Sequence, residues 1–94
     1  MDIDDIFGLW TVTETSGRFV CSLALSRFQP APFRVQVEQC EASPLQHARQ
    51  WGLTPDGVLI SDKSGAAIIA FRPSGRDVFE SADGRFRMSR AASS

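Results

Sequence analysis

The chain has 94 residues, enough for one small domain that buries only about 60–65% of its unfolded surface, so a covalent staple would matter to its stability. A composition of 43% hydrophobic and 22% charged residues excludes wholesale disorder. Ten basic residues, nine of them Arg and scattered singly, stand against eleven acidic ones for a net charge of −1, which excludes nucleic-acid binding by bulk counterion release.

From the N-terminus, Asp2–Phe7 reads as one or two helical turns, with Asp2, Asp4 and Asp5 suited to N-capping or solvation, or else to a cation or a basic groove on a partner. This stretch is acidic and holds no apolar run of seven, so it is not a secretory signal; a cytosolic chain or a mature, trimmed form is expected. Strands are predicted at about 8–14, 18–26, 33–38, 49–54, 57–61, 66–72, 76–81 and 85–89, with a second helical turn at Pro44–Arg49 and a fraying tail at Ala91–Ser94. The turns between them carry Ser16-Gly17, Gln29-Pro30-Ala31-Pro32, Pro55-Asp56-Gly57, Asp62-Lys63-Ser64-Gly65, Pro73-Ser74-Gly75 and Asp83-Gly84, each pairing a turn-tolerant residue with Gly or Pro.

The strands alternate with period two, as half-buried strands must. Phe19, Cys21, Leu23 and Leu25 share one face, Phe33, Val35 and Val37 another, and Phe86 and Met88 a third, with Arg85, Arg87 and Ser89 between and beside the last pair. The predicted fold is all-β, an eight-stranded antiparallel up-and-down barrel over about residues 8–90 of a single domain, 1–94; a two-sheet sandwich is the alternative. Trp10, Leu23, Leu25, Trp51 and Phe71 are expected in its core. The inward set Phe19, Leu23, Leu25, Val35, Ile69, Phe71, Phe79 and Phe86 is bulky enough to fill the interior.

Little in the chain suits catalysis. There is one His, two Cys and no Tyr, no Gly-x-Ser-x-Gly elbow, and no Cys-x-x-Cys, so no enzyme, metal site or cofactor is expected. His47 is expected to be solvated on its turn. No stretch of 18 apolar residues is present, so no transmembrane segment is expected. If strands two and three form a hairpin, Cys21 and Cys40 approach at its open end; they then pair, which implies an oxidising compartment, or remain two buried thiols.

One ordered set of residues reaches further. Gly8-Leu9-Trp10 precedes Cys21, Leu23 and Leu25, then Cys40, Trp51 and the run Leu53-Thr54-Pro55-Asp56-Gly57-Val58-Leu59-Ile60. Gly65, Phe71, Arg76-Asp77, Phe79-Glu80 and Asp83-Gly84 follow. Over about residues 6–90 this resembles the bacterial proteinaceous inhibitors of serralysin-type zinc metalloproteases, a family that includes domains of some outer-membrane lipoproteins. The resemblance implies an eight-stranded barrel with one disulfide, Cys21–Cys40, and a periplasmic or secreted, monomeric inhibitor. Its partner would be a secreted zinc metalloprotease. In that family an N-terminal trunk enters the protease cleft and its first residue approaches the catalytic zinc. The matching candidates here are Met1, Asp2, Ile3, Asp4 and Asp5, although only seven residues precede Gly8, fewer than such inhibitors carry. A non-inhibitory envelope interaction domain of the same fold and a lipocalin-like carrier are the competing readings. The Asp56-Gly57 and Ser74-Gly75 turns are candidate partner contacts because turns project from barrel ends.

Overall fold

A computed structural model describes residues 5–27, 33–40 and 44–90. Eight antiparallel strands, β1 (Gly8–Glu14), β2 (Phe19–Leu25), β3 (Phe33–Glu38), β4 (Gln50–Thr54), β5 (Gly57–Ser61), β6 (Ala67–Gly75), β7 (Val78–Ser81) and β8 (Phe86–Arg90), pair in sequence order. Pairing of β8 with β1 closes the barrel, so every strand edge is used.

The inner face follows from the register. Trp10 lies opposite Leu23, Leu23 opposite Val37, and Val12 opposite both Cys21 and Met88. On the other side of the barrel Trp51 faces Ile60 and Val58 faces Phe71. Trp10, Leu23, Leu25, Trp51 and Phe71 are all buried, within a continuous cluster that also takes in Val12, Val58, Ile60, Phe79, Phe86 and Met88. The interior is a packed side-chain core, which counts against the carrier reading.

Both mouths are stoppered. The end where β1 begins is closed by Ile6, which is buried in the core cluster. At the opposite end a 3-10 turn, Pro44–His47, lowers Leu45 into the core with Ala48 beside it. The turns at that far end are locked by carboxylates. Asp62 accepts from the Ser64 hydroxyl at 2.6 Å and from the Ser64 and Ala66 N–H groups at 2.9 and 3.0 Å. Asp83 accepts from the Ser81 hydroxyl at 2.6 Å and from the Arg85 N–H at 3.0 Å. Those hydroxyl bonds, followed by the backbone ones, hold both carboxyls below their ordinary value of 3.8.

Two expectations change. Phe19 does not face inward; it is 46% exposed. A bulge between Val12 and Thr13 pairs Val12 with Cys21 and Thr13 with Phe19, skipping Val20, which is buried in its place. The Pro73-Ser74-Gly75 segment is not a turn but the end of β6, where another bulge accommodates Pro73 opposite Phe79. The reversal falls one step later, at Arg76-Asp77, with Asp77 at φ 55°. Of the helical stretch at residues 2–7, Asp5 has 3-10 geometry and Ile6 lies in a turn, and residues 1–4 lie outside the described part.

The disulfide joins Cys21 to Cys40 across a sequence separation of 19. A closed loop of this length stabilises by about 3 kcal/mol, mainly by restricting the unfolded chain. Replacing both cysteines with alanine is therefore expected to lower the unfolding free energy by about 3 kcal/mol. Urea denaturation under non-reducing conditions measures it, and a loss below about 1 kcal/mol would contradict a structural role for the bond.

Candidate functional site

The up-and-down order puts the start of β1, the ends of β2 and β8, and the β4–β5 and β6–β7 turns at one mouth of the barrel. The Asp56-Gly57 and Gly75-Arg76-Asp77 reversals thus share an end with the N-terminal segment, while exposed His47 sits at the other. Among the described residues, no three His, Cys, Asp or Glu side chains group so as to hold a metal, and no helix is long and apolar enough to cross a membrane.

What distinguishes this mouth is how it grips the chain entering β1. Three successive carbonyl oxygens each accept a hydrogen bond from a barrel side chain. Arg90 Nη2 donates to Asp5 at 2.7 Å, Trp10 Nε1 to Ile6 at 2.7 Å, and Arg90 Nη1 to Phe7 at 2.8 Å. The Arg90 guanidinium also lies over the Trp10 ring, 4.2 Å from its centroid. The Arg27 guanidinium sits 4.4 Å above the Phe7 ring. Burial of Ile6 adds an apolar anchor to these polar ones.

Each part has a local reason. Period two places Arg90 in line with Phe86 and Met88, so a cation occupies the inner row where that row reaches the mouth. There its guanidinium donates to two carbonyls of the entering chain. Gly8, at φ +126°, makes the approach possible, since a Cβ on it would stand 2.9 Å from Arg90 Nη1. Arg90 is also tied to the β6–β7 turn. Its N–H donates to the Asp77 carbonyl at 3.1 Å, and its guanidinium lies 3.6 Å from the Asp77 carboxylate.

The two tryptophans share one design, an apolar body in the core and an N–H that reaches a connecting segment. Trp51 Nε1 donates to the Ser26 carbonyl at 2.8 Å, holding the chain as it leaves β2.

Of the candidate contact residues, Asp5 is exposed with its carbonyl held by Arg90; Met1, Asp2, Ile3 and Asp4 lie outside the described residues. The predicted last strand stops at residue 89, one short of Arg90, with which β8 ends. Extending the Phe86, Met88 alternation by one more step would have marked a charge on an inward position.

The family model described as "Protease inhibitor Inh" matches residues 1–90. A search of curated proteins finds no match. Among solved structures, the crystal structure of a psychrophilic marine protease MP inhibitor aligns with a TM-score of 0.68 at 22% identity, over 94% of this chain and 97% of that one. That likeness is one of fold.

Proposed function

The chain belongs to the protease inhibitor Inh family, and from that membership we propose that it inhibits a secreted, serralysin-type zinc metalloprotease by presenting residues 1–5 to the active-site cleft. The observation that carries the reading is the grip on Asp5, Ile6 and Phe7, whose three carbonyls are bound by barrel side chains. An inhibitor that enters a cleft with a short segment must not lose much entropy on binding. A segment whose base is already fixed has lost part of it beforehand. The terminal amine or a carbonyl of the segment would then take the open coordination position of the protease's zinc. The barrel's part is mechanical. It supplies rigidity and blocks approach to the cleft, and needs no nucleophile or metal of its own. The disulfide and the family together favour action outside the cytoplasm.

The test is titration of the full chain against a serralysin-type protease with a fluorogenic peptide substrate. Saturable inhibition is expected, with Ki raised about 100-fold or more when residues 1–4 are deleted, and Tm changed by less than about 2 °C. No inhibition by the full chain at micromolar concentrations would overturn the reading, and so would an unchanged Ki after the deletion.

A further inference from the structure

We infer that Arg90 is the positioning residue of the inhibitory segment, holding its base at Asp5 and Phe7 in one fixed orientation on the barrel. The inference rests on the trunk reading above and adds to it a residue at the other end of the sequence. Arg90 stands 85 residues from Asp5 and 83 from Phe7, yet one guanidinium reaches both of their carbonyls. Two points two residues apart define a line, so the fork sets orientation as well as position. Trp10 completes the arrangement by binding the intervening Ile6 carbonyl and by offering its ring face to the same guanidinium.

The chemistry specifies arginine. A guanidinium is planar, stays charged at any working pH, and carries donors in a fixed fork that spans two acceptors while its face stacks on an indole. A lysine ammonium in the same place would keep the charge but not the spacing. The Asp77 carboxylate, 3.6 Å away and half exposed, orients the fork from the side of the β6–β7 turn. The strand pairing of β8 with β1 does not depend on the fork, because Arg90 joins Trp10 in the ladder through backbone groups. Loss of the side chain is therefore expected to free residues 5–7 more than to open the barrel.

The experiment is a double-mutant cycle read in Ki against a serralysin-type protease, using the full chain, Arg90→Met, Arg90→Lys, the deletion of residues 1–4, and the deletion combined with Arg90→Met. Arg90→Met is expected to raise Ki roughly 10- to 100-fold, the penalty for ordering two or three residues only on binding. Arg90→Lys should fall between it and the parent chain. In the deleted background Arg90→Met should change Ki less than about 2-fold, because there is no trunk left to aim. A merely structural arginine would weaken both backgrounds equally, and that result would overturn the inference. Should Arg90→Met not fold, Arg90→Lys decides alone, and a Ki equal to that of the parent chain would overturn it. If the deletion abolishes inhibition while Arg90→Met leaves Ki unchanged, the positioning role falls and the trunk reading stands. If the deletion leaves Ki unchanged, both fall.

Discussion

Truncating Trp10 to alanine is expected to remove about 4 kcal/mol of folding stability, a large part of what a small domain possesses. The side chain is 1% exposed, and its ring meets Phe79 edge-on with centroids 5.5 Å apart and planes at 78°. Deletion leaves a cavity that strands on both sides cannot close, since Trp10 is laddered to Leu23 in β2 and Arg90 in β8. It also strands the Ile6 carbonyl and withdraws the surface on which Arg90 lies. Trp10→Phe separates these terms. Phenylalanine keeps much of the buried area and a ring face for Arg90, but has no N–H, so its expected cost is about 1–2 kcal/mol from the unsatisfied carbonyl plus a smaller packing loss. Urea denaturation of both variants checks the partition. If Trp10→Ala cost less than about 1.5 kcal/mol, Trp10 would not be the central piece of the core that its contacts describe.

The architecture was legible because period-two patterning and turn spacing need only local information. Seven hydrophobic positions of the inward set, Leu23, Leu25, Val35, Ile69, Phe71, Phe79 and Phe86, are buried or packed against the core. Phe19 was lost to a bulge, which inserts one residue and reverses the faces beyond it without leaving a mark on composition. The Pro73 segment failed for a related reason, since proline at a bulge mimics proline at a turn. The site was less legible than the fold. Asp5 was singled out for its charge, whereas the structure engages its backbone carbonyl. The residue that engages it is remote in sequence, and hydrogen bonds between residues 83 and 85 positions apart come from barrel closure. Closure is a property of the whole register, and no window of neighbouring residues contains it.

Gly57 shows how one residue can be placed correctly for an incomplete reason. Its sequence context, Pro55-Asp56-Gly57, marks a turn, and Thr54 Oγ1 does accept from the Asp56 and Gly57 N–H groups at 3.3 and 3.0 Å. Yet Gly57 is not among the glycines with positive φ, so the turn's dihedrals do not demand it. What demands it is the neighbouring strand, because a Cβ on Gly57 would fall on the Phe71 carbonyl oxygen and lie 3.2 Å from Arg72 Cα. These are backbone atoms, so no change of rotamer relieves the clash, and β5 and β6 would have to separate where Val58 pairs with Phe71. Gly57→Ala is therefore expected to destabilise by more than about 3 kcal/mol, although alanine is the better residue by strand entropy alone. Gly52, on β4 of the same hairpin, supplies the control, since a Cβ there meets nothing within 4 Å. Gly52→Ala is expected to stay within about 0.5 kcal/mol of the parent chain or to stabilise it slightly, by reducing the freedom of the unfolded chain. Thermal and urea unfolding of the two variants side by side test the argument, and equal effects at the two positions would show that the close approach of Phe71 does not govern Gly57.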